Sequence, residues 1–215
     1  MSAPTRPVLV LVGPPGAGKT TVGRVLARRL GVGFTDVDAL VVERAGKPIS
    51  DVFLQDGEPV FRELEREVVA AALREVDGVL ALGGGSVLAA ETRERLRGHR
   101  VVHLSVGLAD GLRRTGMSTA RPLLAGVNPR ATFRALLEAR APLYREVATV
   151  EVDTVRRSAN QVARAVLDAL GLAPAGPDAA EEDPVPGDPA AGDVAQEPPG
   201  APLPDPTFGA PRQRP

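Results

Sequence analysis

The sequence predicts an α/β fold in which a parallel sheet carries helices on both faces. Three features point to it. Short runs rich in β-branched apolar residues alternate along the chain with stretches of helical periodicity. Val79 to Leu82 is continuously apolar, as expected of a strand buried on both faces at the centre of such a sheet. A glycine-rich loop stands between the first apolar run and the first helical stretch.

Pro7 to Val12 reads as the first strand, its apolar run being too short for the core of a signal peptide. Lys19 to Leu30 follows as a helix with Val22, Val25, Leu26 and Leu30 on one face, ended by Gly31. Gly33 to Val37 is a second, short strand, and Val41 to Ala45 a short helix stopped at Gly46 and Pro48. Pro59 to Leu73 makes a longer helix with Phe61, Leu64, Val68 and Leu73 inward. After the Val79 to Leu82 strand, Arg100 to Ser105 and Thr149 to Asp153 supply two more. Between these, Gly107 to Arg114 reads as a helix and Thr115 to Gly126 as a loop. Pro129 to Arg140 is a helix with Asn128 as its cap and Pro129 at its first position. The last helix starts at Ser158, which stands at capping-box spacing from Gln161, and ends near Leu170 and Gly171.

With 215 residues, 43% of them hydrophobic, one substantial core is expected. The domain is placed at residues 1–172. From 173 to 215 the chain is Pro, Ala, Gly and acid with almost no large apolar residue, so it cannot offset the entropy of ordering and is expected to be a disordered tail. A solubilising appendage explains it, and a partner-binding arm is the alternative. From Pro174 onward eight acidic residues face only Arg212 and Arg214, a net −6, which leaves +5 on the rest of a chain whose total is −1. That suits an anionic ligand but falls short of the basic patches nucleic acid requires. Without cysteine there is neither a disulfide framework nor a thiolate metal site. No run approaches membrane-spanning length, and the cytoplasm is the expected compartment.

The strongest chemical signal is Gly13-Pro14-Pro15-Gly16-Ala17-Gly18-Lys19-Thr20, a complete G-x-x-x-x-G-K-[ST] in strand–loop–helix context. Its glycines let the backbone curl so that N–H groups converge on phosphate oxygens at the positive end of the helix dipole. Lys19 reaches the β- and γ-phosphates, and the Thr20 hydroxyl is a ligand for Mg²⁺. Only Lys19 and Lys47 are lysines among 26 basic residues, so a lysine at the motif position weighs more than any single arginine.

Such a loop serves kinases, GTPases, motors and nucleotide-binding regulators alike. The carboxylate that often accompanies it at a neighbouring strand end is absent here, where Leu82 runs into Gly83-Gly84-Gly85-Ser86. The candidates are Asp36 and Asp38, two acids on the end of the second strand, expected to point the same way. One would face the metal and the other an acceptor hydroxyl as base or orienting group; the alternative for either is a helix cap. The glycine triplet exposes bare backbone that a ligand can approach closely.

The P-loop, Asp36-Val37-Asp38, Phe61-Arg62-Glu63-Leu64-Glu65, Gly83-Gly84-Gly85, Arg121-Pro122-Leu123-Leu124 and Arg140-Ala141-Pro142-Leu143-Tyr144 together resemble the shikimate kinase family, over almost the whole chain up to about Leu170. The resemblance implies a five-stranded parallel sheet of the P-loop nucleoside-monophosphate-kinase type with a mobile lid, here about residues 115–126. It implies an ATP- and Mg²⁺-dependent monomer that phosphorylates the 3-hydroxyl of shikimate in aromatic amino acid biosynthesis.

Carried over by residue, Gly16, Ala17, Gly18, Lys19, Thr20 and Thr21 would hold the nucleotide phosphates, and Thr20 and Asp36 the metal. Asp38 would bind and deprotonate the acceptor hydroxyl. Arg62 and Arg140 would clamp the carboxylate, with Gly83, Gly84 and Gly85 lining the substrate. Arg121 would fold from the lid onto the phosphates, and Arg157 would contact adenine, although Val155 to Ala159 lacks the Asn or Pro usual beside it. Glu65 would orient Arg62 or form an ordinary helix-surface ion pair. Arg113 and Arg114 would assist the lid or simply occupy an exposed helix face, and His99 and His103 are read as structural. Two other readings stay open: a kinase for a different hydroxy acid such as gluconate, and a regulatory module that holds ATP without transferring phosphate.

Overall fold

A computed structural model describes residues 6–115 and 128–176. The expected lid beyond Thr115, with Arg121, and the tail beyond Gly176 lie outside the described residues.

Five strands, β1 (Leu9–Val12), β2 (Gly33–Asp36), β3 (Gly78–Ala81), β4 (Val101–Ser105) and β5 (Val150–Asp153), form one sheet in the order β2-β3-β1-β4-β5. All pairings are parallel. Among the described residues seven helices connect them, α1 (Lys19–Leu30), α2 (Val37–Ala45), α3 (Ile49–Gln55), α4 (Glu58–Glu75), α5 (Ala90–Leu96), α6 (Leu108–Thr115) and α7 (Pro129–Val147), with a 3₁₀ turn at Ser86–Leu88, and α8 (Ala159–Leu170) follows β5. Because side chains alternate along a strand, Leu9 and Leu11 face one layer while Val10 and Val12 face the other. The first layer packs Val79, Ala81, Val102 and Leu104 against α1 and α8. The second packs Leu80, Leu82 and Val101 against Val41, Phe61, Val69 and Tyr144 of α2, α4 and α7. Among the described residues no helix is long and apolar enough to cross a membrane.

The elements differ from expectation where local signals were weak or overruled. Helix α2 begins at Val37, directly after β2, because the Asp36 side chain accepts from the Asp38 N–H and caps it. Helices α3 and α5 were not anticipated: each is only seven residues long, α3 packing Ile49, Val52 and Phe53 at i, i+3, i+4 spacing over a single repeat and α5 burying only Thr92 and Leu96. Helix α7 does not stop at Arg140 but runs through Pro142. The missing N–H frees only the carbonyl of Glu138, which is exposed to water, while Tyr144 beyond it is buried.

The end of the domain is set by contacts past the last helix. Gly171 closes α8 in the left-handed conformation, the Leu172 N–H donates to the Leu167 carbonyl at 3.0 Å, and the Ala175 N–H donates to the Arg29 carbonyl at 2.8 Å. Leu172 packs on the α1–α8 core. Truncation after Gly176 is therefore expected to leave the urea midpoint and turnover unchanged. Truncation after Gly171 removes a packed leucine and two backbone hydrogen bonds, and should lower stability by about 1–3 kcal/mol. Loss of activity in the longer truncate would give the tail a role in catalysis.

Candidate active site

The site assembles at the carboxyl ends of β1, β2 and β3, the edge where open parallel sheets bind ligands. After β1 the loop carries positive φ at Gly13, Gly16 and Gly18. At Gly13, φ is 148°, and a Cβ there would collide with the Leu104 carbonyl oxygen. Gly18 ends the loop and begins α1, aiming the helix N-terminus at the loop. Lys19 folds back over it, its Nζ donating to the carbonyl oxygens of Gly13 at 2.8 Å and Pro14 at 3.2 Å. Ala17 is buried beneath the loop, and Thr21 lies exposed in the first turn of α1.

Asp36 joins this loop to the next element. Its Oδ2 accepts from the Thr20 hydroxyl at 2.8 Å and its Oδ1 from the Asp38 N–H at 3.1 Å. The cap and the partner of Thr20 are thus the same carboxylate. The expectation that Asp36 and Asp38 sit on one strand face is corrected: Asp36 is the last residue of β2, whereas Asp38 lies in the first turn of α2, so their directions follow helical geometry. The Thr20 and Asp36 oxygens suit a hard divalent cation. Adjacent oxygens in an octahedral Mg²⁺ site with bonds of 2.0–2.1 Å stand about 2.9 Å apart, close to the observed spacing.

A second group comes from α4, the glycine triplet and α7. Arg62 donates through Nε and Nη2 to Glu58 at 3.2 and 3.1 Å, and through Nη1 to Glu65 at 2.7 Å. Glu65 is only 4% exposed, so it is not part of a surface ion pair. Its other oxygen accepts from the buried Ser86 hydroxyl at 2.7 Å. The guanidinium passes so close over Gly85 that a Cβ there would collide with it. Arg140 donates to the Gly84 carbonyl at 2.9 Å, and the Tyr144 hydroxyl donates to the same oxygen at 2.6 Å. Burial pushes the Tyr144 phenol up to about 12, against the opposing pull of the Arg140 charge, which keeps it a donor at physiological pH. Its ring stacks on His103 with centroids 5.0 Å apart. Burial lowers the pKa of that imidazole, against the opposing pull of the Glu151 carboxylate 3.4 Å from its Nδ1.

These groups surround one cavity of about 550 Å³, lined by Lys19, Thr20, Asp36, Asp38, Arg62, the glycine triplet and Arg140. Phe53 and Phe61, with ring centroids 4.5 Å apart, give it an apolar wall. The cavity therefore brings together the phosphate loop, the carboxylates of Asp36 and Asp38, the guanidinium groups of Arg62 and Arg140 and an apolar side. Arg157 is not among its lining residues. It is exposed in the turn between β5 and α8, where its N–H donates to the Thr154 carbonyl at 3.4 Å. Arg114 reaches from α6 to the Gly16 carbonyl at 3.3 Å and to Thr154, tying the phosphate loop to that turn. Arg113 instead pairs with Asp110 and is mostly exposed. Ser86 and Tyr144 were missed as site residues; Ser86 directly follows the glycine triplet, and Tyr144 is the sole tyrosine of the chain. The α3 wall was missed with its helix.

A 2-3-1-4-5 parallel sheet with this loop after its central strand, opening on a cavity that pairs a carboxylate with two arginines, is the architecture of a P-loop kinase for small molecules. The family model for shikimate kinase matches residues 15–171. A shikimate kinase from Saccharopolyspora erythraea is 70% identical over 148 residues, covering 69% of this chain and 85% of that protein. One from Thermobifida fusca is 54% identical, covering 79% and 98% respectively. The solved structure of shikimate kinase from Acinetobacter baumannii in complex with shikimate superposes with a TM-score of 0.72 at 41% identity, covering 75% of this chain and 91% of that one. The chain belongs to the shikimate kinase family.

Proposed function

We propose that this chain transfers the γ-phosphate of ATP to the 3-hydroxyl of shikimate, giving shikimate 3-phosphate and ADP. The observation that carries the reading is the one cavity that Lys19, Asp38, Arg62 and Arg140 line together. The two guanidinium groups grip the substrate carboxylate, which a neutral sugar lacks. The apolar wall takes the ring, and the grip at one end sets a hydroxyl beside Asp38 at the other. Asp38 accepts the hydroxyl proton as the oxygen attacks the γ-phosphorus; the bond to the bridging oxygen breaks, and ADP leaves with that oxygen. Lys19 exchanges its loop carbonyls for phosphate oxygens. Thr20 and Asp36 would hold Mg²⁺, which supplies charge neutralisation on the phosphates when bound. Arg121 is assigned to the transferred charge and Arg157 to adenine. The proposal includes a kinase domain over residues 1–172 and a cytoplasmic monomer that acts on a free metabolite, without nucleic-acid or membrane partners.

A coupled assay of ADP release tests it. Shikimate should stimulate release and gluconate should not. The reverse would change the acceptor, and release independent of either acid would return the chain to a nucleotide-binding module, which leaves Asp38, Arg62 and Arg140 without a task.

A further inference from the structure

We propose that Tyr144 is a positioning residue for the carboxylate grip, acting through the Gly84 carbonyl that it shares with Arg140. Two donors converge on that one oxygen, the phenol at 2.6 Å and the Arg140 Nη1 at 2.9 Å. They occupy both of its lone pairs, so the carbonyl cannot turn toward either without losing the other. The Gly84–Gly85 peptide is trans and planar, so pinning the carbonyl also fixes the Gly85 N–H in the opposite direction. One hydroxyl thereby sets two features of the cavity wall, the Arg140 guanidinium and the backbone of the glycine triplet. Nothing else about Tyr144 points to a surface role: it is 1% exposed, and the flat face of its ring rests on buried His103. A phenylalanine would fill the same space, which makes the hydroxyl the informative atom.

The inference rests on the proposed substrate, and the measurements separate the two. Tyr144→Phe is expected to raise the shikimate KM roughly tenfold, with the ATP KM and the thermal midpoint nearly unchanged. In an Arg140→Ala background the same change should have a much smaller effect on the shikimate KM, since only the glycine-triplet backbone is left for the hydroxyl to position. A shikimate KM within twofold of the parent, a fall in kcat alone, or additive effects in the double variant would each overturn the inference. Wild-type chain that shows no shikimate-dependent turnover would overturn the proposed function and this inference with it. Should Tyr144→Phe fail to fold, the unmodified protein still answers. The chain has one tyrosine and no tryptophan, so its intrinsic emission reports Tyr144 alone. Shikimate should change that emission saturably, with a midpoint near its KM; emission insensitive to shikimate would overturn the inference.

Discussion

Asp38→Asn should lower kcat by about a thousandfold or more while leaving the affinity for ATP within about twofold. General-base catalysis by a positioned carboxylate contributes on the order of 10² to 10⁴, and the amide that replaces it cannot accept the proton of the attacking hydroxyl. The replacement is isosteric, and the backbone N–H of residue 38 still donates to Asp36, so the cap of α2 and the Thr20 contact survive. The contacts of Lys19 to the loop carbonyls and of Thr20 to Asp36 do not involve the side chain of residue 38, which is why nucleotide binding is expected to persist. Steady-state kinetics with shikimate, beside calorimetric titration with ATP, measures both quantities. Turnover at the parental rate would remove Asp38 from the chemistry.

Arg62→Ala should raise the shikimate KM by about a hundredfold and also destabilise the fold by roughly 3 kcal/mol. The two effects have one cause. Arg62 is the cation for Glu65, a carboxylate buried to 4% exposure whose other oxygen is held by Ser86. Removing the cation leaves that carboxylate buried with a single neutral donor, and breaking a buried pair from one side costs on the order of 3–5 kcal/mol. In the proposed function the same guanidinium is one of two that grip the substrate carboxylate, and loss of a charged partner in a desolvated site costs about 2–5 kcal/mol of affinity. Arg62→Lys separates the contributions. It restores a charge for Glu65 and should recover much of the urea midpoint, but without the planar fork it should leave KM well above the parent. A KM within threefold of the parent in Arg62→Ala would place the carboxylate elsewhere.

The phosphate loop was legible because everything it needs is contiguous. Eight adjacent residues carry the turn, the helix start, the lysine and the threonine, and the flanking apolar runs declare strand and helix. The Ser158 capping box was legible for the same reason, and it forms as its spacing implies. Helices α3 and α5 were not, since α3 shows its apolar spacing, Ile49, Val52 and Phe53, for one repeat only and α5 buries just Thr92 and Leu96. Asp36 illustrates the middle case. Its type and place announced either a metal carboxylate or a helix cap, and the two oxygens let it cap α2 and hold Thr20 at once.

Arg62 and Arg140 came from the family resemblance, in a chain where arginine is too common to single out either one. Folding is what set them on one cavity: Arg140 meets Gly84 across 56 residues and Tyr144 meets it across 60.

From the sequence alone, then, came the α/β class, the phosphate grip and, through resemblance, the acceptor end of the site, because these rest on local patterns or on several motifs in fixed order. The tertiary structure alone decided that Glu65 is a buried partner of Arg62, that Ser86 completes it, that Tyr144 pins the Gly84 carbonyl and that α7 continues past Pro142. Each of these depends on which distant groups exclude water from a side chain, and burial arises only when the chain has folded.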